Sequence, residues 1–312
     1  MPKAWWRVRR AAARGNPEDL GGASTRANPF FPGGPTFSGM IEYLVLLSGI
    51  SFLLFLLPWK GRKYAAILGW AAMVLFLIAE VPYYLSQNNI LYPTLAVLAI
   101  PFLHITGRRL LAGDADIFAL SRGAAVAFLL YAPFAYIPPL GDYLIGLVTD
   151  QIIRLVNAVG SGAVLLDWNL IGRNGFKIEI ILACTGIQSM AIMLGVAGAV
   201  PTTTRQKVLA FLLVVPTIYI LNLIRNVFVI LAYTGQWFPY LPEIASNGEW
   251  GYESFFWAHN ILAEGGALVA LVAIAYGLFV IIPDLGRWAG DLYTIYAGDI
   301  ARLMGREKSP GK

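Results

Sequence analysis

Seven long apolar stretches constrain this chain more than any other feature of its sequence. A helix that crosses the hydrocarbon core of a bilayer needs about 20 mainly apolar residues. Stretches near this length lie at 40–58, 64–85, 90–106, 120–140, 180–200, 207–233 and 257–283. Hydrophobic residues make up 58% of the 312 residues and charged residues only 13%, which excludes an ordinary soluble domain. We therefore predict an all-α polytopic membrane protein with about seven transmembrane helices.

Basic residues collect in the loops that alternating spans place on one side of the membrane. They lie in KGRK (60–63), GRR (107–109), TTTRQK (202–207) and the tail 284–312. Cytoplasmic loops carry an excess of Lys and Arg. The pattern therefore predicts a multi-pass protein of the cell membrane with a cytoplasmic C-terminal tail. The connections 141–179 and 233–256 are then expected on the outer side.

The N-terminal residues 1–39 break this charge pattern. They contain Lys3, Arg7, Arg9, Arg10, Arg14 and Arg26, yet the alternation of spans places them outside. We expect a basic, disordered extension before the membrane domain 40–283. Because MIEYLVLLSG begins the first span, our hypothesis is that translation starts at Met40.

The outer connection 141–181 is expected to form structure at the membrane surface. Asp150, Gln151, Arg154 and Asn157 recur at helical spacing within 142–160. Such a polar stripe favours an interfacial helix on the outer surface, although an eighth span is the alternative. Further on, Asn174-Gly175 lies between two apolar runs, as in a tight hairpin turn. We predict a small β-hairpin that pairs 163–170 with 176–181.

Three chemically active residues fall near the outer ends of three different spans. Cys184 is the only cysteine and lies at the start of the fifth span, where the N–H groups of a helix N-terminus favour negative charge. Arg225 lies inside the sixth span, about 12 Å from its outer end. His259 opens the seventh span. Each of them has a structural alternative: packing for Cys184, a bundle-holding pair with Glu80 or Glu264 for Arg225, and a cap for His259. Their coincidence favours a shared external site.

Thiol, guanidinium and imidazole together suit acyl transfer through a thioacyl-enzyme. Cys184 is the candidate nucleophile, His259 the candidate acid/base and Arg225 the candidate oxyanion stabiliser. The sequence leaves open whether His259 or Arg225 is the actual base. Polar neighbours are expected to support them, with two asparagines orienting the Arg225 guanidinium; these neighbours are Gln188, Asn222, Asn226 and Asn260. Two histidines and one cysteine indicate neither a metal nor a disulfide.

The motifs ACTGIQSM (183–190), NLIRN (222–226) and AHN (258–260) resemble the exosortase/archaeosortase family over roughly 40–283. The resemblance implies a membrane cysteine transpeptidase or thiol protease that acts through Cys184, Arg225 and His259. It also implies the substrate: secreted surface proteins, including S-layer glycoproteins, that end in a PGF-CTERM sorting signal. Their C-terminal helix is removed, and a membrane lipid is the expected acceptor.

Two other classes of function remain as alternatives. A transporter or channel would line a solute path with Arg225, Glu80 and Glu264, but the cytoplasmic halves of the spans carry few ionisable groups. A non-catalytic membrane scaffold for surface-protein assembly predicts that Cys184→Ala is harmless. No cofactor and no nucleic-acid partner are expected.

Overall fold

The computed structural model describes residues 38–86, 91–246, 248 and 250–304. The helices before the strands are α1 (Ser38–Leu56), α2 (Arg62–Ala79), α3 (Val81–Ser86), α4 (Leu91–Ala112), α5 (Ala115–Tyr136) and α6 (Pro138–Ala158). Strands β1 (Val164–Asp167), β2 (Leu170–Arg173) and β3 (Phe176–Glu179) follow. The remaining helices are α7 (Ile187–Ala199), α8 (Thr204–Thr234), α9 (Pro242–Ala245), α10 (Tyr252–Phe255), α11 (Glu264–Ile281) and α12 (Pro283–Leu303).

Five helical segments are long and apolar enough to cross a membrane. They are Arg62–Leu85, Tyr92–Ala112, Ala115–Tyr136, Thr204–Thr234 and Tyr252–Ile281. Only 11% to 33% of each apolar window is buried within the protein, as expected for helices whose other faces contact lipid. The polytopic all-α class is therefore confirmed. The predicted spans 40–58 and 180–200 correspond to shorter apolar helices, Tyr43–Leu56 and Ile187–Ala199.

Two of the spanning helices begin at side chains that cap their first N–H groups. Asp114 Oδ1 accepts hydrogen bonds from the backbone N–H groups of Asp116 and Ile117 at the start of α5, at 3.1 and 3.4 Å. At the start of α8, Thr203 Oγ1 accepts from Gln206 N and Gln206 Oε1 accepts from Thr203 N. This reciprocal pair is a capping box, and both arrangements satisfy donors that a helix end leaves unpaired.

The described residues divide into two compact units, one of Tyr131–Met190 with Phe211–Gly277 and one of the remainder. In the second unit, a buried cluster contains Phe55, Ala65, Ala66, Leu110 and Ile117. Helices α5 and α7 approach closely at Gly123 and Gly195, where an added Cβ on Gly195 would lie 2.6 Å from the Gly123 carbonyl oxygen. Small residues at such crossings permit close helix packing inside membranes.

Helix α12 occupies most of the expected C-terminal tail and docks on the same unit. The Trp288 indole N–H donates to the Asp116 carbonyl oxygen at 3.0 Å, and the hydroxyl groups of Thr106 and Tyr296 are 2.7 Å apart. The predicted N-terminal extension lies outside the described residues, except for its last two residues, which begin α1.

In the first unit, α6 forms the helix predicted within 141–181. Its buried face carries Ile145, Val148, Ile152 and Val156, whereas Asp150 and Arg154 are exposed and form an ion pair at 2.8 Å. Helix α6 is as long as a span but is not among the segments apolar enough to cross a membrane. The interfacial location remains a prediction, and α6 packs against the turn that carries Cys184.

The strand boundaries of the predicted hairpin were wrong, although its turn was correct. Asn174 and Gly175 adopt positive φ angles of 50° and 81° and connect β2 to β3. The segment predicted as one strand, 163–170, turns at 168–169, so that β1 pairs with β2 and β2 pairs with β3 in a three-stranded antiparallel sheet. The buried Asn169 stabilises this extra turn because its side-chain amide donates to the Ile180 carbonyl oxygen at 2.9 Å.

Candidate active site

Cys184 lies on a short 3₁₀ turn before α7 rather than inside the helix. The turn covers Leu182–Thr185, and the Thr185 hydroxyl donates to the Leu182 carbonyl oxygen at 2.7 Å. Gly186 then adopts a φ of +80°, a left-handed conformation that glycine tolerates best. The predicted helix start within 180–200 is therefore corrected to Ile187. Cys184 is a free, buried cysteine, 3% exposed.

One turn of α8 holds the carbonyl group of Cys184. The side-chain amides of Asn222 and Asn226, four residues apart on the same helix face, both donate to the Cys184 carbonyl oxygen, at 2.6 and 2.8 Å. Since a carbonyl oxygen only accepts, these contacts fix the orientation of both amides. The sequence suggested that these asparagines orient the Arg225 guanidinium, whereas they bind the backbone of Cys184.

The same turn of α8 also contacts His259. Arg225 Nη2 lies 3.3 Å from His259 Nε2, and His259 Nδ1 lies 2.8 Å from Asn260 Oδ1. The Arg225 charge also interacts electrostatically with Cys184 and Glu264. Residues Asn222–Asn226 of α8 thus connect the candidate nucleophile to the candidate acid/base.

These contacts define the protonation pattern of the imidazole ring. An arginine guanidinium has only donors, so His259 Nε2 accepts the hydrogen bond from Arg225. The remaining nitrogen, Nδ1, then carries the proton and donates to Asn260 Oδ1. His259 is therefore neutral in this arrangement, with a basic nitrogen facing Arg225.

His259 lies in an irregular part of its helix that the sequence did not reveal. Phe256–Ala263 form a π-helical stretch between α10 and α11, and such stretches are frequent at functional sites. The imidazole is 6% exposed and stacks on Phe255 with ring centroids 4.9 Å apart. The helix begins at Tyr252, so His259 lies two turns inside it rather than at its start.

A row of aromatic rings connects His259 to the sheet. Tyr233 lies between Phe255 and Phe176 of β3, with ring centroid distances of 5.6 and 4.8 Å. The sheet is also bound to the end of α8, because Arg173 Nη1 donates to Thr234 Oγ1 at 2.7 Å. Sequence reasoning missed this support, although the aromatic residues that flank the sixth and seventh spans are a weak signal for it.

The other sequence-predicted residues take different positions. Gln188 is half-buried in the first turn of α7, where its side chain interacts with the Tyr131 hydroxyl. Glu264 Oε1 lies 3.9 Å from His259 Nδ1. Arg225 forms no ion pair with a carboxylate in the part of the chain that the structure describes, so the bundle-holding alternative has no geometric support there.

Two buried polar atoms on the central turn of α8 have no hydrogen-bond partner among the described residues. They are Arg225 Nε and Asn226 Oδ1. Buried polar groups in folded proteins are nearly always paired. The unpaired Nε–H of the Arg225 guanidinium lies on the side chain that contacts the candidate acid/base His259. The described residues contain no cluster of three or more His, Cys, Asp or Glu side chains able to hold a metal.

Comparisons with known proteins agree on one family. The family model described as transmembrane exosortase matches residues 38–240. The chain is similar to archaeosortase A of Natronomonas pharaonis, with 27% identity over 77% of this chain and 82% of the relative. It is also similar to archaeosortase A of Haloferax volcanii, with 27% identity over 74% of this chain and 84% of the relative. No solved structure matches the chain. The family match covers more than half of the chain and includes the Cys184 turn and Arg225, so this protein belongs to the transmembrane exosortase family.

Proposed function

We propose that this protein is a membrane-embedded cysteine transpeptidase that removes the C-terminal sorting signal of secreted surface proteins. The acyl group passes through a thioester on Cys184 to a membrane lipid, which anchors the processed protein. The similarity to two archaeosortases supports this substrate class. The observation that carries the proposal is the α8 turn that binds Cys184 through two amides and His259 through Arg225.

In the first half of the proposed reaction, the Cys184 thiol gives its proton to His259 Nε2 and its sulfur attacks the scissile carbonyl carbon. The hydrogen bond from Arg225 to Nε2 must open for this transfer, and its length of 3.3 Å is that of a weak contact. The carbonyl oxygen becomes an oxyanion. Arg225 stabilises it with its fixed charge and with the Nε–H that has no partner among the described residues.

In the second half, the tetrahedral intermediate collapses and the carbon–nitrogen bond breaks. His259 returns its proton to the leaving amine, which departs with the C-terminal helix of the substrate. A lipid hydroxyl group then attacks the thioester and gives its proton to His259, and the thiolate is protonated again. Attack by water in place of the lipid gives hydrolysis. Asn222 and Asn226 keep the Cys184 turn against α8 throughout.

The proposed site acts at the extracytoplasmic face of the cell membrane. A substrate that is held by its own transmembrane helix presents its scissile bond near that surface. Confinement to the membrane plane raises the effective concentration of substrate around the enzyme. The positions of Cys184, just before α7, and of His259, two turns into its helix, suit this arrangement. The charge pattern of the loops supports it.

The test follows the processing of a surface protein in cells that carry a chromosomal deletion of this gene. Plasmids supply the wild-type protein, Cys184→Ala, Cys184→Ser or Ser189→Ala, and processing is measured as loss of the C-terminal segment by mass spectrometry. We expect the wild type and Ser189→Ala to restore processing and both Cys184 variants to fail at equal protein levels. Normal processing with both Cys184 variants would support the scaffold alternative and refute the proposal.

A further inference from the structure

A cavity between α4 and α12 is separate from the candidate active site. It has a volume of about 190 Å3, room for several water-sized groups. His104, Ile105 and Arg108 line it from α4, and Asp299, Arg302 and Leu303 line it from α12. Neither the proposed reaction nor the family match assigns a role to these residues.

The cavity wall has an excess of positive charge. Both oxygens of Asp299 are occupied, since Arg109 Nε and Nη2 donate to Oδ2 and Oδ1 at 2.8 and 3.0 Å and Arg302 Nη1 donates to Oδ1 at 3.2 Å. Arg108 forms no hydrogen bond with any described residue, and its charge interacts with Asp299 at longer range. The guanidinium groups of Arg108, Arg109 and Arg302 thus surround the Asp299 carboxylate. When Asp114, 3.4 Å from Arg109, is included, three guanidinium groups face two carboxylates. Because the arginines more than balance the negative charge of Asp299, the cavity attracts an anion.

The position of the cavity indicates the source of this anion. His104 and Arg108 lie in the last turns of the candidate span Tyr92–Ala112, at the depth where lipid headgroups begin. Beside them, the end of α12 exposes the apolar side chains of Ile300 and Leu303, and Met304, which follows the helix, is also exposed. A charged cavity next to exposed apolar side chains suits a phospholipid, whose phosphate and acyl chains need both surfaces. Basic pockets at the cytoplasmic ends of spans bind anionic headgroups in this way.

We propose that this cavity binds the phosphate group of an anionic membrane phospholipid. Arg108 and Arg302 pair with the phosphate oxygens, and guanidinium groups suit this role because they present several donors in a fixed plane. His104 donates a further hydrogen bond, which a neutral or a charged imidazole can do. The bound lipid then fixes the position of α12 against α4.

The test uses native mass spectrometry of the full-length protein released from nanodiscs of phosphatidylcholine doped with phosphatidylglycerol. The test variant combines Arg108→Gln with Arg302→Gln. The matched control is Arg287→Gln, also on α12, whose exposed side chain pairs with Asp284 outside the cavity. We expect the wild type and the control to retain bound phosphatidylglycerol and the double variant to retain at least tenfold less.

Further arms separate lipid binding from general effects. A second double variant, Arg108→Lys with Arg302→Lys, keeps the charge and should retain intermediate amounts, which a misfolded protein would not. Equal retention of phosphatidylglycerol by the wild type and the glutamine double variant would overturn the proposal. So would retention of phosphatidylglycerol and phosphatidylcholine in proportion to the bilayer. Displacement of the lipid by equimolar inorganic phosphate would identify free phosphate as the ligand and overturn the lipid assignment.

Discussion

At the scale of single residues, the candidate site depends on how α8 recognises a backbone carbonyl. The sequence predicted chemical roles for Cys184, Arg225 and His259, because ionisable groups inside membrane spans are costly and usually functional; these roles stay predictions. It did not indicate that Asn222 and Asn226 bind the Cys184 carbonyl oxygen. That contact joins residues about 40 positions apart, and a local sequence pattern does not show which distant group a side-chain amide binds.

Gly186 provides a sharp test of this carbonyl contact. It has a φ of +80°, and an added Cβ would lie 3.2 Å from Asn222 Cγ. Gly186→Ala should therefore strain the turn by about 1–2 kcal/mol and displace the Asn222 amide. We expect processing to fall at least tenfold, measured as the rate of C-terminal cleavage. Gly113→Ala is the control, because Gly113 has a φ of +82° with nothing within 4 Å of the added Cβ. Equal effects of both changes would argue against a specific role for the contact.

The tautomer of His259 is a second prediction at this scale. Because Arg225 donates to His259 Nε2, the imidazole must be neutral and carry its proton on Nδ1. The Nδ1–H then donates to Asn260 Oδ1. We expect nitrogen-15 NMR of selectively labelled histidine to show this tautomer. The signal is assigned by its loss in His259→Gln, since the chain has two histidines. Asn260→Ala should change the tautomer ratio and slow processing roughly tenfold. A doubly protonated ring in the wild type at neutral pH would contradict the arrangement.

At the scale of secondary-structure elements, the sequence predicted the types of element better than their ends. The Asn174-Gly175 turn was recognisable because few residue pairs tolerate two positive φ angles. The extra turn at 168–169 has no such signature, since it depends on the bond between Asn169 and the Ile180 carbonyl oxygen. Periodicity likewise predicted one helix across 180–200, whereas the left-handed Gly186 separates the Cys184 turn from α7.

The hydrogen bonds of Arg173, which connect the sheet to α8, should contribute measurably to the free energy of unfolding. Arg173 Nε donates to the Ser161 carbonyl oxygen at 2.9 Å, and its Nη1 donates to Thr234 Oγ1 at 2.7 Å. Lysine cannot make both bonds, so Arg173→Lys should lower the free energy of unfolding by about 1–2 kcal/mol. Thermal unfolding in detergent measures this change. The control is Arg154→Lys, which alters an exposed ion pair on α6 and should change stability by no more than about 0.5 kcal/mol. A larger loss in the control would contradict the assignment.

The docking of α12 should depend on pH through Asp299. Hydrogen bonds from Arg109 hold the pKa of Asp299 below its ordinary value of 3.8. A lowered pKa means that ionised Asp299 stabilises the folded chain above this value and that the stabilisation disappears as the pH falls below it. Asp299→Asn should therefore lower stability by about 1 kcal/mol at neutral pH. The difference from the wild type should begin to shrink as the pH falls below 3.8 and should vanish once the pH passes the lowered pKa of Asp299, as measured by melting temperature across the pH range. A difference that is constant with pH would refute this explanation.

At the scale of the whole molecule, hydropathy alone was sufficient to predict the class of fold. Five predicted spans correspond to helices long enough to cross a membrane, because the length of an apolar stretch can be read from the sequence without knowledge of the packing. Three motifs dispersed along the chain were sufficient to predict the family, and the comparisons confirm that prediction. The sequence did not reveal the π-helical stretch around His259. It gave only a weak signal for the aromatic row from Phe176 to Phe255, because that row depends on contacts between distant segments.

The central claim is that the reaction passes through a thioester on Cys184. The most direct measurement is to identify the new C-terminus of the released substrate when membranes containing this protein are incubated with hydroxylamine. Hydroxylamine attacks a thioester carbonyl and releases the thiol, so the wild type should give a substrate ending in a hydroxamate. Cys184→Ala should give neither hydroxamate nor cleavage. Release of a free carboxylate alone from the wild type in the presence of hydroxylamine, with continued cleavage by Cys184→Ala, would contradict the account.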